Sequence, residues 1–215
     1  MTAHLTVSVP EDGSAAVVSG SLRVGTLTFV ELGDGETLTA SSGGQTATLK
    51  RGRFGGSTSY SARLDGVTKP GTEIVFALQR GGEDDSAPRS TVTLPEPVRL
   101  TAPAAGTSYS RRSADIGVRF TSGSASTVLT WAGECIEPGS LELEPGRTSA
   151  TISRGSIKPT GRPSTGTTTS PAASPGTCQI AITVTRRSDG TLDPAFKDGS
   201  IRAESQSTRQ LTSAP

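Results

Sequence analysis

Several residue types on which catalysis, metal binding and membrane insertion depend are scarce in this sequence. Its 215 residues include one His, one Met and one Trp, and aromatic residues make up 4% of the chain. A single His is too few for a His-based metal site and argues against a Ser–His–Asp triad. No apolar run approaches the ~18–20 residues of a transmembrane helix. Lys and Arg (21) nearly balance Asp and Glu (20), which excludes a strong overall field toward nucleic acid or anionic membranes.

Glycine and proline, with 26 and 14 residues, are abundant by contrast. Helical periodicity is nearly absent, whereas polar and apolar residues alternate. Turn signals recur every ~8–12 residues, which is typical of all-β sandwiches and barrels. Strands are predicted in the first half at 5–9, 16–18, 22–30, 37–40, 46–50, 59–64, 73–80 and 90–94. In the second half they are predicted at 98–101, 116–121, 128–131, 140–143, 148–153, 178–186, 200–205 and 208–212.

A domain boundary is predicted at the Leu-Pro-Glu-Pro stretch 94–97, because two prolines this close cannot continue a central strand. Short matches on the two sides of this boundary support two related units. Residues 76–80 align with 182–186, and residues 91–94 align with 208–211. We therefore expect an all-β protein of two tandem immunoglobulin-like β-sandwich domains, at 1–97 and 98–215. Each is close to the ~100 residues of such a module.

The two cysteines, Cys135 and Cys178, lie at predicted strand edges beside turns. This placement favours a disulfide, and hence an oxidising compartment, over two free buried thiols in a cytosolic protein. The segment 157–177 is rich in Thr, Ser, Pro and Gly and has too little apolar content to pack a core. It is predicted to be either a tolerated disordered insertion or an O-glycosylated or partner-binding loop. Trp131 is predicted to lie in the core of the second domain.

The chemistry-bearing residues form no recognisable catalytic or cofactor-binding motif. His4 lies near the start of the chain, no Gly-Lys-Ser/Thr phosphate loop is present, and no carboxylate spacing is diagnostic of acid–base catalysis. A weak Ca²⁺ candidate is formed by Glu83, Asp84 and Asp85, three acids in one loop, for which a solvated turn is the alternative. We therefore predict that the protein is not an enzyme and uses no cofactor.

A family resemblance is carried by three parts of the chain. They are Ser-Thr-Val-Thr-Leu-Pro at 90–95 with Leu-Thr-Ala-Pro-Ala-Ala-Gly at 100–106, Gly-Thr-Cys at 176–178 with Ile-Thr-Val-Thr-Arg at 182–186, and Gly-Thr-Leu-Asp-Pro-Ala-Phe at 190–196. These stretches resemble the tandem immunoglobulin/fibronectin-III-like units of lipoproteins from myxobacteria and related δ-proteobacteria. The resemblance implies export, an outer-membrane or surface location, a disulfide between Cys135 and Cys178, and no catalytic residues.

In that family the unit follows a lipid-modified N-terminal Cys, which this chain lacks. The first nine residues alternate like a strand instead of following the charged-then-apolar plan of a signal peptide. We therefore expect that an export signal and a lipidated residue have been removed from this chain.

The predicted function is non-catalytic binding, adhesion or scaffolding by an exported protein of the outer membrane, periplasm or cell surface. Loops on a rigid scaffold concentrate recognition, and the candidate recognition residues are Ile157, Thr160, Arg162, Thr168, Asp193 and Phe196. The expected partner is an envelope or surface protein or a polysaccharide, not nucleic acid, with membrane association only through a lipid anchor. A rigid lipoprotein spacer and a carbohydrate-binding module are the alternatives, and the latter requires exposed aromatic residues.

Overall fold

The computed structural model describes residues 1–11, 13–25, 28–54, 57–81, 86–160 and 176–215. These residues form strands joined by turns and loops, and they include no helix long and apolar enough to span a bilayer. The chain divides into two compact units. Unit 1 comprises Met1–Pro97 and Arg187–Ser205, and unit 2 comprises Val98–Arg186 and Gln206–Pro215.

Most strands are short, as the frequent turn signals predict, whereas β16 and β17 are longer. Those in the first part of the chain are β1 (Thr2–Val9), β2 (Ala15–Val24), β3 (Thr28–Phe29), β4 (Thr37–Ser42), β5 (Gln45–Thr48), β6 (Lys50–Phe54), β7 (Ser57–Asp65), β8 (Glu73–Gln79) and β9 (Ala87–Thr93). The later strands are β10 (Leu100–Ala102), β11 (Ser108–Ser110), β12 (Ile116–Phe120), β13 (Ser126–Gly133), β14 (Ile136–Leu143), β15 (Ser149–Ile152), β16 (Cys178–Asp189) and β17 (Asp198–Ala214).

Unit 1 is a sandwich of two sheets. One sheet contains the adjacent antiparallel strands β1, β2 and β7, and the other has the order β5-β4-β8-β9. Because side chains alternate between the faces of a strand, every second residue of β1 enters the core, as Leu5 and Val7 do. Ile74, Phe76 and Leu78 of β8 alternate in the same way and contribute to the same apolar cluster.

Unit 2 has the same plan. The order β14-β13-β16-β17 corresponds to β5-β4-β8-β9 of unit 1, and β10-β12-β15 corresponds to β1-β2-β7. Ile116 and Val118 of β12 share a buried cluster with Ile180 and Ile182 of β16. The aligned segments 76–80 and 182–186 lie on β8, with Arg80 directly after its last residue, and on β16. These two strands occupy the same position in the two orders. Two sheets of this kind form an immunoglobulin-like sandwich, so the predicted fold class is confirmed.

The division into units differs from two consecutive domains at 1–97 and 98–215. The segment Arg187–Ser205, which we expected in the second domain, belongs to unit 1. The first part of β17 pairs in parallel with β1 over eight residues, from Thr2 with Asp198 to Val9 with Ser205. No local pattern predicts a pairing between residues so far apart in the chain.

Two predicted strand limits are wrong for reasons of packing. The predicted strands 16–18 and 22–30 are replaced by β2 and the short β3, because β2 continues through Gly20. A Cβ at Gly20 would lie 2.8 Å from Leu5 Cδ2, so glycine permits close packing there rather than a turn. The predicted strand 46–50 is interrupted at Leu49, whose side chain is buried, and the chain passes there from the sheet of β4 to the sheet of β7.

The turn before β4 is closed by a carboxylate. Glu36 accepts hydrogen bonds from Gly33 N–H at 2.8 Å and from Arg80 Nε at 2.7 Å. The backbone hydrogen bond first, and then the guanidinium, hold the pKa of Glu36 below its ordinary value of 4.5. Gly35, within the same turn, has φ of 82°, a conformation that favours glycine.

Candidate interaction surfaces

A disulfide joins the two cysteines at one end of the unit 2 sheet. Cys135 lies in the turn between β13 and β14, and Cys178 begins β16, the other neighbour of β13. Their Cα atoms are 6.0 Å apart and the sulfurs are bonded, so the predicted disulfide is confirmed. It links neighbouring strands of one sheet, unlike the disulfide between the two sheets of antibody domains.

The same end of unit 2 anchors both ends of the segment 161–175, which lies outside the described residues. On one side, Thr160 N–H donates to the carbonyl of Cys135 at 3.0 Å and Thr160 Oγ1 to the carbonyl of Glu134 at 3.3 Å. On the other side, the carbonyl of Gly176 accepts a hydrogen bond from Arg111. We call Arg111, Thr160 and Gly176, together with Cys135 and Cys178, the neck.

Arg111 is the residue of the neck that sequence reasoning missed. Its guanidinium donates to Ser213 Oγ at 2.9 Å and to the Gly176 carbonyl, and one nitrogen lies 3.8 Å from Cys135 Sγ. The sequence shows only a basic pair with Arg112. A guanidinium has several donors in a fixed plane. One side chain therefore contacts β17, the turn between β13 and β14, and Gly176, the residue that follows the segment 161–175.

Of the candidate recognition residues of the long loop, the structure describes Ile157 and Thr160, and the two differ in burial. Ile157 is buried in the core cluster of unit 2, because it is the last large apolar residue before the Ser/Thr/Pro-rich stretch. Its proposed recognition role is therefore replaced by a packing role. Thr160 is partly exposed in the neck. Arg162 and Thr168 lie outside the described residues.

Asp193 and Phe196 are also buried, in unit 1, which corrects their assignment to an exposed recognition loop. The Asp193 carboxylate accepts hydrogen bonds from the N–H groups of Arg89 at 2.8 Å and Ala195 at 3.0 Å. The Asp193 N–H donates to Ser90 Oγ at 2.9 Å. Phe196 belongs to the apolar cluster of unit 1. Both side chains therefore fasten Arg187–Ser205 to the rest of the unit.

Trp131 packs partly buried against the core of unit 2. Its cross-strand partner on β14 is Gly139, and a Cβ at Gly139 would clash with the indole ring. The indole thus covers a glycine of the neighbouring strand. Among the described side chains, the exposed large hydrophobic residues are Val24 and Leu141, neither of which is aromatic. A row of exposed aromatic rings, which the carbohydrate-module alternative requires, is not found in that part of the chain.

The remaining chemical candidates are the acidic loop and the single His. Glu83, Asp84 and Asp85 lie outside the described residues. Within the described ranges, no group of three or more His, Cys, Asp or Glu side chains is arranged to hold a metal ion. His4 lies on the outer face of the unit 1 sheet, where its Nδ1 is 3.2 Å from Ser200 Oγ.

No family model matches this chain, and no curated protein is significantly similar to it. Among solved structures, it is similar to the FN1–FN3 domains of chicken CNTN1, with 10% identity and a TM-score of 0.26. That similarity covers 94% of this chain and 62% of the CNTN1 chain, so this chain spans under two thirds of its length. It is also similar to a segment of two fibronectin type-III domains from chicken tenascin, with 13% identity, 96% of both chains covered and a TM-score of 0.27.

Proposed function

We propose that this chain is a non-catalytic binding module of an exported cell-envelope or surface protein, acting in adhesion or scaffolding. The observation that carries this proposal is the neck. A disulfide, the Arg111 guanidinium and the backbone hydrogen bonds of Thr160 hold both ends of one long connection at the end of a rigid sandwich. Recognition concentrates on connections that a rigid scaffold positions in this way.

The disulfide supports the extracytoplasmic part of the proposal. Structural disulfides persist in secreted, periplasmic and surface proteins and are rare where thiol buffers keep cysteines reduced. The more specific proposal, a lipid-anchored protein of the outer membrane, rests on the family resemblance. It predicts a partner in the same compartment, either an envelope protein or a polysaccharide.

The sequence of the segment 161–175 suits a partner-binding role. Seven of its fifteen residues are Thr or Ser, and Arg162 adds a charge. Arg162 and Thr168 remain the predicted recognition residues of this segment. Because the neck is formed by residues on either side, the segment can be exchanged without removing a described contact of the sandwich.

The test compares three forms of the chain. In the first the segment 161–175 is intact, in the second it is replaced by a short Gly-Ser linker, and in the third its residues are scrambled at constant composition. Each is immobilised with the disulfide oxidised and used to capture proteins from an envelope extract of the source organism. A stoichiometric partner retained by the intact form and lost from the other two supports recognition by this segment.

Retention of the partner by the scrambled form would show that binding depends on the composition of the segment and not on the order of its residues. Capture of no protein by any form, with the disulfide intact and the circular dichroism unchanged, would contradict protein binding through this segment. It would favour the rigid spacer, with polysaccharide binding as the other function to test.

A further inference from the structure

In unit 1, the outer face of the sheet that contains β1, β2 and β7 carries mainly hydroxyl and cationic side chains. The residues of β1 and β2 that alternate with the buried ones are Thr2, His4, Thr6, Ser8, Val17, Ser19, Ser21 and Arg23. On β7 the exposed alternate residues include Ser59, Ser61 and Arg63. Val17 is the only large apolar side chain among these residues, and none of them is Phe, Tyr or Trp.

One row crosses five strands of this sheet without a break in register. Thr6 pairs with Arg202 on one side and Ser19 on the other, Ser19 pairs with Ser61, and Ser61 pairs with Lys50. Residues directly opposite on neighbouring strands point to the same side of a sheet. At ~4.8 Å between strands, the row spans roughly 19 Å. It presents hydroxyl groups in the middle and a cation at each end, and we call it the hydroxyl row.

The rows beside it continue this chemistry. Ser200, His4 and Ser21 are paired across three strands on one side of the hydroxyl row. On the other side, Arg63 Nε lies 3.8 Å from the carboxylate of Asp65, which compensates its charge. Glu204, on the same side, lies 3.2 Å from Arg187 Nε, which compensates its charge, and Asp198, opposite Thr2, adds an exposed carboxylate to the face. The face therefore combines hydroxyl donors and acceptors with the two cations of the hydroxyl row, Lys50 and Arg202.

We propose that this face binds an acidic polysaccharide, a polymer of uronic or other carboxylated sugars. The inference rests on the proposed function and names the class of ligand. It differs from the carbohydrate-module alternative, which stacks sugars on aromatic rings, because here hydroxyl groups and cations contact the polymer. Ser and Thr hydroxyls donate and accept hydrogen bonds, as sugar hydroxyls do, and a flat row about 19 Å long can contact several consecutive sugars. Lys50 and Arg202 are positioned to pair with carboxylates along the polymer, and neutral hydroxyls lie between them.

The same face is poorly suited to nucleic acid. A nucleic-acid duplex carries closely spaced phosphates, and binding it requires many cations close together. Single strands are bound by stacking of bases on aromatic rings. The hydroxyl row has cations only at its ends and contains no ring.

Each contact on such an exposed face is weak, so affinity arises from repetition. Exposed ion pairs contribute little individually and are screened by salt. Many units on one surface binding one polymer gain affinity through effective concentration. We therefore expect binding that is easily measured on an immobilised polymer and that decreases steeply with ionic strength.

The experiment measures binding of the full, oxidised chain to immobilised polygalacturonate, with neutral dextran and duplex DNA as parallel probes. The test variant combines Lys50→Gln and Arg202→Gln, and a second variant combines Ser19→Ala and Ser61→Ala. The matched control combines Lys69→Gln and Arg147→Gln, two exposed cations outside the face whose removal changes net charge equally. Circular dichroism and melting temperature verify that each variant is folded.

We expect about tenfold weaker binding to polygalacturonate for the cation variant, a several-fold loss for the hydroxyl variant, and less than twofold change for the control. Equal losses of affinity in the cation and control variants would show that binding depends on net charge and not on this face, and would overturn the proposal. So would absence of binding, or binding to DNA as tight as to polygalacturonate.

The form with the Gly-Ser linker in place of 161–175 separates this inference from the proposed function. It should bind polygalacturonate as the intact chain does. If the chain does not bind polygalacturonate but still captures a partner through the segment, polysaccharide binding by this face is refuted and the proposed function stands. If both fail, both are refuted.

Discussion

Replacing Phe196 with Ala tests whether Arg187–Ser205 is a structural part of unit 1 or a segment available for recognition. The Phe196 side chain is 8% exposed and belongs to the apolar cluster that also contains Leu5, Phe76 and Ile201. A Phe-to-Ala change in a core costs about 3–5 kcal/mol, from lost transfer free energy and the cavity left behind. We take the lower end, about 3 kcal/mol, because the ring is not completely buried.

Hydrogen exchange of β1 is the most direct assay, because the 198–205 part of β17 is hydrogen-bonded to that strand. If β1 exchanges through opening of unit 1, a loss of about 3 kcal/mol accelerates its exchange roughly 150-fold. Peptides from β12 in unit 2 provide the internal reference. Lys197→Ala, an exposed neighbour whose backbone hydrogen bond to Met1 is retained, is the matched control.

A change of less than about fivefold in β1 exchange for Phe196→Ala, equal to ~1 kcal/mol, would refute the structural assignment. It would mean that the cluster does not depend on this ring. Loss of partner binding with unchanged exchange would restore Phe196 as a recognition residue.

Three further predictions address other parts of the fold. Replacing Cys135 and Cys178 together by Ser should lower the stability of unit 2 by about 4 kcal/mol, because the disulfide closes a loop with a separation of 43 residues and so lowers the entropy of the unfolded chain. Urea unfolding monitored by Trp131 fluorescence measures this loss, and an unchanged midpoint would contradict it. Because the pKa of Glu36 is lowered on folding, its stabilisation is present above pH 4.5 and is lost as pH falls through the lowered pKa. Glu36→Gln should remove this acid dependence, whereas parallel melting curves against pH for both proteins would argue against it. Gly139→Ala should displace the Trp131 indole, shift its emission and destabilise unit 2 by about 1–3 kcal/mol, and an identical spectrum would exclude the contact.

The parts of the fold that depend on neighbouring residues could be predicted from the sequence. Polar and apolar residues alternate across 5–9. This places Leu5 and Val7 on the same face of the strand, whichever strands it pairs with, because successive side chains of an extended chain point to opposite sides. Gly35 marks its turn because positive φ is accessible to glycine. The pairing of Cys135 with Cys178 was accessible for the same reason, since both lie beside local turn signals.

Glycines that serve close packing look identical in sequence to glycines that serve turns. Gly20 is interior to β2 beside Leu5, and a Cβ at Gly199 would clash with the carbonyl of Ala3 on the adjacent strand. Both close approaches are between strands, so nothing within a few residues of either glycine distinguishes its role. The Arg111 contacts with Ser213 and Gly176 are long-range for the same reason.

From the sequence alone one can predict that this chain is all-β, most of its alternating faces and turns, and that its cysteines can be joined. These properties follow from side-chain period and backbone conformation, which act over a few residues. The pairing of β17 with β1, and therefore the burial of Asp193 and Phe196, is visible in the three-dimensional structure and not in the sequence. The same pairing aligned Arg202 with Thr6, Ser19 and Lys50 in one row. Strand partners are chosen by burial of whole faces and by backbone hydrogen bonds between distant segments, which no local pattern specifies.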